Sequence, residues 1–548
     1  MTYQATELEQ ANAPQRVATL AKRSLRMLRP LILALPLVLV ACAAKDAPVE
    51  QRFDANTAGR LFSAGYQGIA EIYIESVPLS ELAVAGLDSL ATIDPDFEVE
   101  RQGNRVRLSA AGQPDRQLDL PWGRDAEDWG SFTAASVGAA QGLSPKLKAA
   151  KPEALYEAVF DGMLSQLDGY SRYAGREEAS EHRANRDGFG GIGVRIRMGE
   201  TGVEVLSVMD QTPAQSAGLL AGDLITAIDA ETVFGLSQQD IVHRLRGPSY
   251  SKVVLTVRRK DAVDPLSISV TRSHIVPQTV SYEARGNVAL FRITSFNQDT
   301  TRSLREKMEQ AQAELGSRMA GMILDLRGNP GGLLDQAVGV SDVLMSHGRI
   351  VSTHGRHLES HQFFEAHSDE LAASAPVVVL VDGGSASAAE IVAAALQDSG
   401  RAVLVGTNSF GKGTVQTVMR LPNEGEMTLT WARFHAPTGY TIDHRGVLPD
   451  VCTSAGDATV ERMIENLQRG QAAINRIERT RLIDLGDEPA LTAFRDRCPA
   501  HVNEQRDLEV EVAQRLLADP SLFARALGTI DSASKPSSWT PAQVSTGR

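Results

Sequence analysis

The spacing of apolar residues changes several times along the chain, and the changes divide it. Between residues 70 and 90, Ile72, Leu79, Leu82, Leu87 and Leu90 recur near the helical period. Residues 97–108 alternate like a strand, through Val99, Val106 and Leu108. Residues 154–167 return to a helical pattern, and residues 176–185 are so densely charged that a solvated helix is predicted. Residues 43 to about 60 are small and polar and read as a tether, while the Gly- and Ser-rich stretch 122–145 follows neither period.

Residues 188–275 hold short alternating runs, at 194–196, 203–206, 224–228 and 252–258, with helical patterns at 213–217 and 239–245. This is a compact β-rich block. From residue 280 strands and helices alternate: apolar strands at 288–293, 319–326, 377–381 and 403–406, helices at 301–313, 333–345 and 388–396. Such alternation predicts an α/β core. Beyond Cys452 the pattern is helical to about residue 527, and the Ser/Pro/Thr-rich end past 531 is predicted disordered. The fold class is therefore α/β multidomain. The expected divisions are a leader at 1–42, a partly helical region at 43–185, the β-rich domain at 186–275, the core at 276–455, a helical region at 456–530 and a tail at 531–548.

The formal net charge is −13, which excludes a basic stripe for replacing the counterions of nucleic acid. The leader carries Lys22, Arg23, Arg26 and Arg29 ahead of a ten-residue apolar run at 31–40. A membrane-spanning helix needs about 20 such residues, so the run reads as an export signal. It ends in Leu39-Val40-Ala41-Cys42, which resembles the lipobox of bacterial lipoproteins and implies lipid on Cys42. Cys452 and Cys498 then remain. In an oxidising compartment such a pair is expected to join, two free thiols being the other reading.

Candidate chemistry concentrates in three turns. Asp382-Gly383-Gly384-Ser385-Ala386-Ser387-Ala388-Ala389-Glu390 leads from a buried strand into a helix. Such a turn presents a hydroxyl at a helix N-terminus, where backbone amides favour developing negative charge. Ser387-x-x-Glu390 also fits a capping box, so this stretch alone leaves both readings open. The second turn is Gly411-Lys412-Gly413, followed by Thr414-Val415-Gln416. If residues 412–416 are extended, Lys412 and Gln416 share a face. Burial beside a serine would lower the lysine pKa and make it a general base, oriented by the neutral Gln416 amide. Gly406-x-x-x-x-Gly411-Lys412 approaches a phosphate-binding loop, but Gly413 stands where Ser or Thr must hold magnesium, and a strand pattern follows. The third turn, residues 325–332, ends a buried strand with glycines able to present N–H donors. No G-x-S-x-G or H-E-x-x-H is present; His354, His357, Glu359 and His361 match no ligand spacing and read as a solvated loop.

In their order and spacing these motifs resemble the C-terminal processing (tail-specific) protease family, PDZ-containing serine peptidases of the S41 type. The resemblance runs from about residue 154 to 451. It includes Leu167-Asp168-Gly169-Tyr170-Ser171-Arg172-Tyr173, residues 190–194 and 212–223, Leu245-Arg246-Gly247-Pro248 and Gly446-Val447-Leu448-Pro449-Asp450, besides the three turns. It implies a crotonase-like ββα-spiral core with an inserted PDZ domain and helical N- and C-terminal regions. It implies Ser387 as nucleophile, Lys412 as base and Gln416 as orienting residue. Ala388 N–H, with Gly331 or Gly332 N–H, would form the oxyanion hole. Gly191, Ile192, Gly193 and Val194 would receive the C-terminus of an extended polypeptide substrate. No cofactor or metal is implied. Two departures are Ala389, where a serine is frequent, and Ser249-Tyr250-Ser251 in place of a Lys-Gly-Thr turn. The function implied is a serine endopeptidase acting through an acyl-enzyme in the bacterial envelope, facing the periplasm and lipid-anchored. The alternative from another class is a non-catalytic, lipid-anchored PDZ scaffold, against which stands the intact Ser387, Lys412 and Gln416 set.

Overall fold

The computed structural model describes residues 52–528 apart from 124, 368–374, 455–458, 470–481 and 503–506. The predicted signal, Cys42 and the predicted disordered tail at 531–548 lie outside the described residues. Among the described residues no helix is long and apolar enough to cross a membrane.

The first helix spans Ala55–Ile72, so residues before 60 do not all form a tether. Asp54 caps it, accepting from Thr57 N–H at 2.9 Å, and Ala58, Leu61 and Phe62 are already buried. The Gly- and Ser-rich stretch is also helical, over Ala126–Leu143. Its small residues mark a close helix crossing: a Cβ on Gly130 would lie 2.4 Å from Ser63 N. Helices Leu79–Asp88 and Pro152–Leu164 join these two around Phe62, Tyr66 and Phe160. The strand expected at 97–108 is a hairpin, Phe97–Gln102 with Arg105–Ala110, extended by Arg116–Asp119. The charged helix, Arg176–Asp187, is anchored as well as solvated: Arg183 and Arg186 reach the buried Glu426 carboxylate at 3.0 and 3.3 Å.

The β-rich domain pairs its strands antiparallel in the order Leu266–Thr271, Lys252–Arg258, Leu224–Ile228, Val203–Val208, Val194–Met198, which leaves the last at an edge. Helix Gln238–Leu245 is opened by a Ser237–Asp240 capping box. The domain joins the rest of the chain through the strand pair Phe189–Gly191 and Ser273–Ile275.

The core is built on a six-stranded sheet ordered Val280–Arg285, Val288–Ile293, Gly321–Asp325, Val377–Val381, Ala402–Gly406, Val451–Cys452. Only its first pair is antiparallel. The three central strands are buried along their whole length, as parallel strands between two layers must be. Helices Thr300–Leu315, Leu334–Leu344 and Ala388–Asp398 pack on one face, and Val460–Gln468, Asp507–Ala518 and Pro520–Ala526 cover the other. A second, antiparallel sheet runs Gln362–Glu365, Arg349–His354, Glu426–His435, Thr414–Arg420. Arg172–Ala174, which precedes the β-rich domain in sequence, pairs with Glu426–His435 and so completes a sheet of the core that follows that domain.

Candidate active site

The turn between Val377–Val381 and Ala388–Asp398 is fixed by hydrogen bonds. Asp382 Oδ1 accepts from Gly328 N–H at 2.8 Å and from Gly384 N–H at 2.9 Å. Ser385 is buried; its hydroxyl donates to the Leu326 carbonyl and accepts from Asp382 N–H, both at 2.9 Å. That hydroxyl is committed to the turn. Ser387 sits at φ 55°, ψ −116°, backbone that side-chain-bearing residues rarely adopt and that recurs at functional sites. The capping-box pairing with Glu390 is present. Glu390 N–H also bonds the Ser387 carbonyl at 2.8 Å, so that donor does not depend on the hydroxyl.

Glu390, read from the sequence only as a cap, is the hub of the site. It is fully buried in the first turn of a helix whose other polar residues, Gln397 and Asp398, come only at the far end, and that acid among apolar neighbours was the sequence signal for it. Oε1 accepts from Ser409 Oγ at 2.5 Å and Gly411 N–H at 2.7 Å. Oε2 accepts from Ser387 N–H at 2.7 Å and Lys412 N–H at 2.9 Å. Burial pushes its carboxyl up to about 7, against the opposing pull of these four donors.

Lys412 lies just before the strand Thr414–Arg420, with its ammonium 4.9 Å from the centre of the Tyr170 ring. Burial, and then Arg172, hold its pKa below the usual lysine range, while Asp168 and Glu390 oppose them. Of residues 412–416, whose two ends share a face if extended, Thr414, Val415 and Gln416 lie in that strand. The strand begins at Thr414, and its pairing skips Trp431, so the bulge lies in the partner strand Glu426–His435 and the alternation of residues 414–416 is kept. Gln416 Nε2 donates to Thr414 Oγ1 at 2.7 Å and to Thr430 Oγ1 at 3.2 Å. Among the described residues no hydrogen bond joins Gln416 to Lys412, or Lys412 Nζ to Ser387 Oγ.

The glycine turn meets Ser387 directly. A Cβ on Gly331 would lie 2.8 Å from Ser387 Cβ and 3.0 Å from Ala388 N. Gly331 N–H is occupied, donating to Asn329 Oδ1 at 2.8 Å. Among the described residues nothing accepts from Ala388 N–H or Gly332 N–H. Of the two glycines expected beside Ala388, Gly332 is thus the one with an uncommitted donor.

In the β-rich domain the Ile192 carbonyl accepts from Ala214 N–H at 2.9 Å and the Gly193 carbonyl from Met209 N–H at 3.0 Å. Among the described residues nothing accepts from the N–H groups of Ile192 and Gly193. Val194 opens the edge strand, whereas Gly191 faces Ser273 in the linking pair. Cys452 and Cys498 are joined by a disulfide, with Cα atoms 5.8 Å apart. His354 ends a strand rather than lying in a loop, and its ring packs edge-on against His361 and His435. Among the described residues no group of three or more His, Cys, Asp or Glu is placed to hold a metal.

The model of peptidase family S41 matches residues 287–453, and that of the PDZ domain matches residues 190–270. A carboxy-terminal-processing protease of Bartonella bacilliformis is 40% identical over 299 residues, covering 54% of this chain and 69% of that protein. A probable CtpA-like serine protease of Staphylococcus saprophyticus is 32% identical over 302 residues, covering 54% of this chain and 60% of that protein. Among solved structures, a photosystem II D1 C-terminal processing protease is 23% identical, covering 72% of this chain and 92% of its own at a TM-score of 0.36.

Proposed function

The chain belongs to peptidase family S41, with the carboxy-terminal-processing proteases, and on that premise we propose a Ser387–Lys412 mechanism acting on polypeptides of the bacterial envelope. The family makes it a serine peptidase carrying a PDZ domain. In the proposed chemistry neutral Lys412 takes the hydroxyl proton as Ser387 Oγ attacks the scissile carbonyl. The amides of Ala388 and Gly332 receive the oxyanion. The C–N bond breaks, Lys412 returns the proton to the leaving amine, and water hydrolyses the resulting acyl-enzyme by the same sequence. The observation that carries this reading is the shared anchor: Ser387 and Lys412 are held through their backbones by one oxygen of Glu390. Gln416, whose amide donates to Thr414 and Thr430, takes a supporting place in the reading and not a direct grip on the amine.

The Ile192 and Gly193 amides form the proposed cradle for a substrate's terminal carboxylate. The edge strand Val194–Met198 is where the extended substrate would add. The leader and Cys42 support lipid anchoring in the envelope, facing the periplasm. An active-site-serine probe of the fluorophosphonate class tests the dyad: it should label wild type and not Ser387→Ala. Equal labelling of both proteins would reject the assignment.

A further inference from the structure

The C-terminal region does more than cover the central sheet, because part of it runs past both loops of the proposed dyad. The His501 carbonyl accepts from Gly383 N–H at 3.0 Å and from the Thr407 hydroxyl at 3.1 Å. Gly383 starts the turn to Ser387, and Thr407 starts the loop to Lys412. One carbonyl ties these loops from outside, as Glu390 ties them from inside. Asn408 N–H also bonds the Cys498 carbonyl at 3.3 Å. Arg495 Nη1 donates to the carbonyls of Phe410 at 3.2 Å and His444 at 3.0 Å. A Cβ on Gly411 would come within 3.1 Å of that nitrogen, so the guanidinium lies against the residue just before Lys412. The disulfide fastens Cys498 to Cys452, which sits in the edge strand beside Gly406.

We propose that the segment 491–501 is a brace for the dyad, and that Arg495 is a positioning residue for Lys412, acting through the Phe410-Gly411 backbone. The proposal rests on the Ser387–Lys412 reading. Its physical basis is that Lys412 must stay half-buried to be neutral, while the loop that carries it is pliant. Gly411, at φ 93°, and Gly413 flank the lysine. Freed of its outer anchor, that loop would sample positions where the ammonium is hydrated. The charged and titratable groups that face Lys412 are Tyr170, Arg172, Asp168 and Glu390. None belongs to the brace, so the brace acts on the lysine by position and not by charge.

The test compares full-length wild type, Arg495→Ala, Arg495→Lys and a Cys452→Ser/Cys498→Ser double variant, with Ser387→Ala as the blank. Fluorophosphonate acylation rates are measured against pH, alongside thermal melting. A displaced base is expected to slow Arg495→Ala about tenfold to a hundredfold at neutral pH. It is also expected to move the rising limb of its pH profile to higher pH. Arg495→Lys should recover much of both effects, and the double variant should shift in the same direction as Arg495→Ala. Unchanged rates, or a loss that follows melting with the limb unmoved, would overturn the brace and leave the segment a structural cover. Labelling of Ser387→Ala would instead remove the dyad reading beneath it.

Discussion

Ser387 and Lys412, 25 positions apart in the sequence, are bound through their backbone N–H groups to a single atom, Oε2 of Glu390, at 2.7 and 2.9 Å. A shift of that carboxylate moves both residues together, so their relative placement is set by one buried side chain.

Glu390→Gln should therefore affect both stability and activity. An amide has one acceptor oxygen, so in either orientation its NH2 faces two donors of the protein. Leaving buried donors unmatched should destabilise the fold by about 3 kcal/mol. The pH dependence has a definite sign. The folded carboxyl is raised to about 7 from an ordinary 4.5, so the folded chain holds a proton there that the unfolded chain has released. That contribution to stability is complete below 4.5 and is lost as pH rises to about 7. Across this window the denaturation midpoint of wild type should fall relative to that of Glu390→Gln. Parallel curves for the two proteins would count against the buried, titrating carboxyl.

The two serines of the turn should separate cleanly. Ser385→Ala removes a buried hydroxyl that bonds Leu326 and Asp382, and should lower stability by about 1–3 kcal/mol while probe labelling survives. Ser387→Ala should melt near wild type and fail to label. The opposite pattern would move the nucleophile to Ser385.

Lys412 has a pKa depressed chiefly by burial, and only its neutral form can accept a proton from serine. Acylation should rise from acid toward mildly alkaline pH. A profile peaking near pH 5 would argue for a carboxylate base in its place.

How much of this was legible in the sequence depended on how local each feature is. The turns carrying Ser387, Lys412 and Gly332 were readable because glycine and serine cluster where a strand must stop. The helix at Ala126–Leu143 was missed because residues such as Gly130 and Ala134 serve close helix packing and blur the apolar period. Alternation places Gln416 on a face but does not tell which partners its amide takes, here the Thr414 and Thr430 hydroxyls. The contacts of His501 with Gly383 and Thr407 run through its backbone carbonyl to residues about a hundred positions away, and no pattern of side chains at His501 encodes them.

The free amides of Ile192 and Gly193, beside an edge strand, lead to a prediction about what the PDZ domain reads. With Ser387→Ala as a non-cleaving full-length protein, a fluorescent peptide ending in a free carboxylate should bind. Its C-terminally amidated twin should bind about 10- to 100-fold more weakly, because charge-assisted hydrogen bonds are lost. Gly193→Val should weaken the free peptide as well. Gly193 sits at φ 84°, and a Cβ there would lie 2.4 Å from Thr212 Cβ, so the amide would be displaced from the cradle. Anisotropy titrations of the two peptides against both proteins decide the matter. If the carboxylate and amide peptides bind equally, the edge strand takes internal segments of a chain, and the domain does not select for C-termini.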